Sequence, residues 1–269
     1  MRIVVPMKAV PDLVEEIELG PDGTAIDREF LTFVTSEWDA QALEEALLLK
    51  QASGAEVVAV GLAEDPDIDQ ILYTALAKGA DAAVKLAAAG GAAGALGPSG
   101  TQGADRAALL VAYLADQPAD LVITGVQAAD DLDGQLPSRL AALLGLAHVS
   151  VVIGVEAAVP DGGGASVTVR QEFAGGRSHE LQVQMPAVIG VQSARQAPRY
   201  APITRVRQAM SAGGLSEVTV TPGAAGGGLV VRRLRRPGAT GRAEMMTGSP
   251  GEVAGQIVGL LRARGLVKG

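Results

Sequence analysis

Apolar positions recur with two different periods over the first 150 residues. Short runs of strand length, "RIVVPM" (2–7), "EVVAVGL" (56–62), "AAVKLA" (82–87) and "DLVITG" (120–125), alternate with longer stretches whose apolar positions return every three to four residues. The clearest helix is "SEWDAQALEEALLLKQASG" (36–54). It has a start signal at Ser36, an apolar stripe through Trp38, Ala42, Leu43, Ala46, Leu47 and Leu49, and a glycine stop at Gly54. "DPDIDQILYTALAKGA" (65–80), "DRAALLVAYLADQ" (105–117) and "QLPSRLAALLG" (135–145) read the same way, the first ending at Lys78-Gly79. "IELGPDGTAID" (17–27) alternates around a Pro-Asp-Gly turn and predicts a hairpin; residues 89–103 are small, turn-rich and read as a surface loop.

Strand–helix alternation of this kind predicts an α/β, doubly wound, mostly parallel sheet with helices on both faces, because parallel strands need long crossovers. Ligands in such sheets sit beyond the C-terminal strand ends. Three segments therefore converge on one crevice: Pro6 to Pro11, Gly61 to Asp65, and residues 125–135. After residue 147 the pattern becomes β-rich. "HVSVVIGVEAAV" (148–159), "ASVTVRQEF" (165–173) and "SHELQVQMPAVIGVQ" (178–192) look like antiparallel strands appended to that sheet. Residues 1–192 form the α/β domain. Residues 193–269 lose regular patterning until a last helix, "VAGQIVGLLRARG"; this tail is either disordered or wraps a partner, and its isolated Tyr, Ile, Met and Arg side chains favour the second.

Composition narrows the chemistry. The 269 residues carry a formal charge of −8, which argues against nucleic acid as a partner. There is no cysteine, so disulfides, thiol chemistry and Cys-ligated metal centres are excluded; His148 and His179 are read as structural or solvated, and no metal set is assigned. No window approaches the length needed to cross a bilayer, and "RIVVPMKAV" lacks the charged region and cleavage site of a secretory leader. The chain reads as soluble and cytoplasmic. Trp38, Phe33, Phe173, Tyr73, Tyr113 and Tyr200 stand out among few aromatics.

No lysine-bearing P-loop, nucleophile elbow, zinc-protease helix or dinucleotide fingerprint is present, and no catalytic residue is assigned. The acid pairs Glu15-Glu16, Glu44-Glu45 and Asp130-Asp131 are read as solvated. The best candidate site is "LVITGVQAADDLDGQLPSRLA" (121–141), which runs from strand through loop into helix. Its aspartates oppose an anion, but the first-turn amides of the helix can bind phosphate without a lysine. Asp130, Asp131 and Asp133 would then cap the helix or brace the loop, with Asp131 turned to solvent or into a cap; carboxylates lining the crevice instead would speak against an AMP phosphate there. The alternative is a capped loop with surface acids and no ligand.

Six segments in order, "VPMKAVPD" (5–12), "SEWDAQALEEALLLK" (36–50), "TALAKGAD" (74–81), "GVQAADDLDGQLPSRLAALLG" (125–145), "MPAVIGV" (185–191) and "APRYAPITRVRQAM" (197–210), together resemble the β subunit of electron-transfer flavoproteins, a group that includes the nitrogen-fixation-associated FixA proteins. The C-terminal "RPGATGRAEMMTGSPGEVAGQIVGLLRARGLV" is similar to that subunit's end. The resemblance implies an adenine-nucleotide alpha hydrolase-like fold, a structural AMP, and an α-subunit partner carrying redox-active FAD. Its phosphate loop falls on Gly125, Gln127, Asp130, Gly134 and Gln135, with Leu136, Pro137 and Ser138 opening the helix. Leu132 stands where the family has a second aspartate. Pro6, Met7 and Lys8 would lie beside the adenosine, as would Ser36, where the family has asparagine, and Leu62.

By the same resemblance, Leu13 and Trp38 face the α-bound flavin, although Trp38 serves equally well as a core residue. "PRYAPI" matches a recognition loop (198–205) that docks dehydrogenases, with Ile203 as the apolar anchor beside Pro198, Arg199 and Tyr200. Arg232, Arg233, Arg235 and Arg236 either pair with α-subunit acids or are solvated. The chain is thus expected to be an electron-carrier subunit that passes electrons to a quinone oxidoreductase or another acceptor. Two alternatives stand: a flavin-bifurcating form with a second FAD in the AMP site, and a stand-alone ATP-binding or adenylyl-transfer protein of the same fold. The second usually needs a glycine–serine phosphate motif or a histidine near the first strand, and "VPMKAVPDLVEE" has neither.

Overall fold

A strand that is apolar on both faces has to lie inside a sheet covered on both sides. β1 (Arg2–Pro6) meets that condition: Ile3 and Val5 enter one apolar cluster, Val4 enters another, and all three are fully buried. The computed structural model describes residues 1–29, 31–65, 67–89, 102–157, 165–223, 232–238 and 243–267, without the side chains of 102–105. The 89–103 loop therefore lies almost wholly outside the described residues. The chain divides into two units, Met1–Leu234 and Arg235–Gly269.

In the first unit, β2 (Ala9–Pro11) and β3 (Phe33–Thr35) pair as a small antiparallel ribbon. The other strands are β4 (Glu56–Leu62), β5 (Ala82–Ala88), β6 (Leu121–Gly125), β7 (Ala147–Ala157), β8 (Ser166–Phe173), β9 (Arg177–Gln184), β10 (Ala187–Val191) and β11 (Leu215–Val220). With β1 they form one sheet in the order β11-β5-β4-β1-β6-β10-β7-β8-β9. All neighbours from β11 to β7 are parallel; β8 and β9 continue the sheet antiparallel. The helices are α1 (Glu37–Ser53), α2 (Ile68–Lys78), α3 (Gln102–Asp116), α4 (Leu136–Leu144) and α5 (Ile203–Ala212). Leu43 and Leu47 of α1 with Ile71 and Leu72 of α2 cover one face, while Leu109 and Leu110 of α3 with Leu140 of α4 cover the other. The doubly wound α/β expectation holds.

Several local expectations change. The 17–27 hairpin is a single bridge, Leu19 to Ile26, closed by the Gly20 N–H to Ala25 carbonyl bond at 2.9 Å. The stretch 178–192 is two strands separated by Met185-Pro186, and its second half is not an appended antiparallel strand. β10 lies parallel between β6 and β7, as its five consecutive buried residues require. β7 pairs with β10 through its first half and with β8 through its second. The switch falls at a bulge where Val151 takes φ +61°. Finally, α5 and β11 give the tail regular structure, and the first unit runs to Leu234, past the boundary expected after residue 192.

Glu44 and Glu45 are buried, against the expectation that they are solvated. All but one of their donors come from a segment some 150 residues away, the other being the Val155 amide 110 residues away. The Glu45 carboxylate accepts the backbone N–H of Val155 (2.7 Å) and of Arg195 (2.9 Å) and the Arg195 Nε–H (2.7 Å). Glu44 accepts the Arg199 N–H (2.9 Å) and its guanidinium (2.7–3.0 Å), and Gln41 Oε1 accepts the Ala194 N–H (2.9 Å). Burial pulls the Glu44 carboxyl upward, but the Arg199 contacts outweigh it and hold the group below its ordinary range. One face of α1 thus clamps residues 194–199.

The second unit contains α6 (Pro250–Ala263), opened by Ser249, whose N–H donates to the Glu252 carboxylate at 2.7 Å. None of its residues is buried, and Ile257, Val258 and Leu260 are exposed. Among the described residues, no helix is long and apolar enough to cross a membrane.

Removing the buried Glu45 carboxylate takes the acceptor from three donors. Glu45→Ala should cost about 2–3 kcal/mol in urea unfolding, because the Val155 and Arg195 amides lose their acceptor while the partly exposed Arg195 guanidinium keeps Glu156 at 3.4 Å. A loss below about 1 kcal/mol would show that the clamp contributes little.

Candidate functional site

In this sheet order the chain leaves β1 in opposite directions, to β4 on one side and β6 on the other, so a crevice opens at their C-terminal ends. A narrow cleft occupies that point. Pro6, Met7 and Lys8 form one wall; Gly125 to Ala128, Asp131, Gly134, Leu136 and Pro137 form the other; Asp39 and Arg106 close the floor.

Two glycines shape it. A Cβ on Gly125 would lie 2.6 Å from Asp39 Oδ1 and 2.8 Å from Trp38 Cβ, so the absence of a side chain lets α1 rest directly on the end of β6. Gly134 has φ +59°, and a Cβ there would lie 2.4 Å from the Val126 carbonyl oxygen. Between them the loop folds on itself: Ala128 and Asp131 exchange N–H···O bonds of 3.1 and 3.0 Å, and the Gly134 N–H reaches the Asp131 carbonyl at 3.3 Å. α4 then begins with no side-chain cap, its Gln135 already helical. An uncapped first turn beside a glycine-narrowed loop is the arrangement that binds an anion through backbone amides. The expectation that loop aspartates cap this helix is therefore corrected. Asp131 lines the cleft, because the Ala128–Asp131 bridge turns that residue inward.

The charged groups are tightly paired. Lys8 Nζ donates to Asp130 Oδ1, and Arg106 NH2 donates to both Asp65 oxygens at 2.7 and 2.8 Å. Asp39 accepts the Lys8 N–H at 3.0 Å and the Gly125 N–H. Burial pushes the Asp39 carboxyl up to about 7, against the pull of Lys8, Arg106 and those two amides. Burial opposes the charge on Arg106, but Asp65, Asp39 and Asp130 outweigh it and hold the guanidinium protonated.

Of the residues expected at the site, Pro6, Met7, Lys8, Gly125, Gln127, Gly134, Leu136 and Pro137 line one cleft. Asp130 stands at its edge on Lys8. Gln135 and Ser138 are exposed at the head of α4, where the Ser138 hydroxyl donates to the Gln135 carbonyl at 3.0 Å. Ser36 does not cap α1 with its side chain; its Oγ is buried without a partner. Leu62 is buried in the apolar layer shared with α3. Trp38 is half-buried on Gly125, and Leu13 is 67 % exposed outside the cleft. Pro198 and Arg199 are half-buried in the clamped segment, and Tyr200 is 84 % exposed. Ile203 opens α5 and is 54 % exposed.

A family model described as "Electron transfer flavoprotein domain" matches residues 26–222. The chain belongs to the electron-transfer flavoprotein β-subunit family. It is 30 % identical to "Electron transfer flavoprotein subunit beta" of Methylophilus methylotrophus, over 97 % of this chain and 98 % of that one. It is 29 % identical to "Caffeyl-CoA reductase-Etf complex subunit CarD" of Acetobacterium woodii, over 99 % and 100 %. A β subunit of Syntrophomonas wolfei is 33 % identical over 74 % of this chain and 73 % of its own. The matched domain of this β-subunit family member includes the Gly125–Pro137 side of the cleft with Asp39 and Arg106, the clamped segment, α5 and β11; it begins after the Pro6–Lys8 wall and stops before α6.

Asp39 and Arg106 were not singled out from sequence. Their signals are an acid in the first turn of α1 and a lone cation in the otherwise apolar run of α3.

Asp39 keeps its proton in the folded state to about 7 and releases it near the ordinary value of 3.8 when unfolded. That contribution to stability is complete below the unfolded value and is lost as pH rises through the folded one. Asp39→Asn cannot ionise, so relative to the parent it should gain about 1–2 kcal/mol of unfolding free energy between pH 5.5 and 8.5. Parallel denaturation curves at both pH values would contradict the buried, proton-holding Asp39.

Proposed function

We propose that this β subunit holds a structural AMP in the cleft, completes a heterodimer with an FAD-bearing α subunit, and offers residues 198–205 to electron-donating dehydrogenases. The observation that carries the nucleotide assignment is the uncapped start of α4 beside Gly134 at the sheet's switch point. The amides of Gln135 and Leu136 would hold the phosphate, with Gly134 letting it approach the backbone and Ser138 and Gln127 at its margin. Pro6, Met7 and Lys8 would bound the adenosine, with Ser36 and Leu62 buried behind that wall, and Lys8 would be kept in place by Asp130.

FAD held with the α subunit supplies the redox chemistry, and this chain contributes packing and docking. Leu13 and Trp38 stand where the chain would meet that flavin. The exposed apolar residues of α6 suit burial against the α subunit, as do Arg232, Arg233, Arg235 and Arg236 for its acids. Ile203 is an exposed apolar anchor beside the exposed Tyr200, and Arg199 next to it is fixed by Glu44. Apolar anchors ringed by Arg and Tyr are the usual centre of transient interfaces. Electrons would leave for a quinone oxidoreductase or another acceptor.

Acid extraction of the purified heterodimer should release one FAD and one AMP; two FAD and no AMP would identify the bifurcating form instead. Gly134→Ala should lose the AMP while FAD is retained, because the added methyl meets the Val126 carbonyl. Ile203→Ala should raise the apparent KM for a donor dehydrogenase about tenfold with the flavin spectrum unchanged, the scale of a modest hot spot. An unchanged KM would remove Ile203 from the docking surface.

A further inference from the structure

An anionic ligand entering this cleft meets an adverse charge balance. Two cations, Lys8 and Arg106, stand against four carboxylates, Asp39, Asp65, Asp130 and Asp131. Three of those carboxylates are offset by a cation or lie partly exposed. Asp65 is held by both Arg106 bonds, Asp130 has Lys8, and Asp131 is only half-buried, where water screens it. Asp39 differs from all three. It is sealed in the floor, no cation donates to it directly, and its hydrogen-bond donors are the uncharged amides of Lys8 and Gly125.

The groups that face Asp39 are few. Lys8 lies at the end of β1, Arg106 on α3 and the Gly125 amide at the end of β6; both cations are already committed to other carboxylates. A phosphate placed against Gly134 to Leu136 adds negative charge to the same enclosed space, where repulsion between like charges is poorly screened.

We propose that the cleft takes up one proton, on the Asp39 carboxylate, as part of binding an anionic adenine nucleotide. This rests on the reading of the cleft as a nucleotide site. The proton comes from solvent and no other bond changes. In the unliganded chain Asp39 already titrates at about 7, so an incoming anion needs to shift it only modestly to protonate it at neutral pH. Asp39 then acts as a positioning residue: its neutral form still accepts the amides that set the ends of β1 and β6 while removing one charge from the floor.

Isothermal titration of the nucleotide-stripped heterodimer with AMP, in two buffers of different ionisation heat, tests this. At pH 7.5 the parent should absorb a large fraction of one proton per AMP. Its Kd should weaken several-fold, at most tenfold, per pH unit between 7 and 8.5. Asp39→Asn should lose that uptake, show a flatter pH dependence, and bind more tightly than the parent at pH 8.5. Adenosine 5′-sulfate, whose anion does not titrate near neutrality, keeps the test on the parent protein if the variant fails to assemble: uptake must persist with it. AMP binding without proton uptake, uptake undiminished in Asp39→Asn, or none with the sulfate overturns the proposal and leaves the nucleotide site standing. Failure of AMP to bind at any pH from 5.5 to 8.5 overturns both.

Discussion

The close approach of α1 to the end of β6 at Gly125 sets the rest of the molecule. Because Gly125 has no side chain, Trp38 and Asp39 sit directly on the strand end, and Asp39 can reach the amides of both Gly125 and Lys8. That contact fixes the floor of the cleft. Two turns along the same helix, Glu44 and Glu45 seize residues 195–199, so α1 is the common reference for the cleft and for the segment that leads to Ile203. Both sets of contacts use buried carboxylates whose partners are supplied in full. Such carboxylates fix geometry at the cost of desolvation.

The division between what the sequence reveals and what it conceals follows the range of the interactions. α1, α2 and α4, and the strands they connect, announce themselves through local periodicity and glycine stops, and the parallel sheet follows from their alternation. β10 is harder. "AVIGV" is a continuous apolar run, the mark of a strand buried on both faces, but its continuity with "SHELQVQ" hides the change of partner at Met185-Pro186. β11 is an edge strand with polar alternation, and α5 buries only Val206, so neither carries a strong apolar signal.

At the site, the glycines and the strand-to-helix junction are legible because their geometry is local. The charges are not. Glu44 and Glu45 look like any surface pair until donors from residues 194–199 arrive, and Arg106 becomes a cleft residue only because α3 places it against Asp65. Ser36 shows the reverse case. The residue type suggests a cap, yet its hydroxyl is buried with no partner. The acids of the 125–135 loop mislead in the same way, since loop folding, not residue type, decides that Asp131 faces inward.

The proposed role stands or falls on whether the backbone of the Gly125–Ser138 loop holds one adenine nucleotide. Phosphorus-31 NMR of the purified heterodimer reads it directly. A bound AMP gives one phosphate monoester resonance per heterodimer that survives dialysis, alongside the pyrophosphate pair of a single FAD. Pyrophosphate signals alone would contradict it.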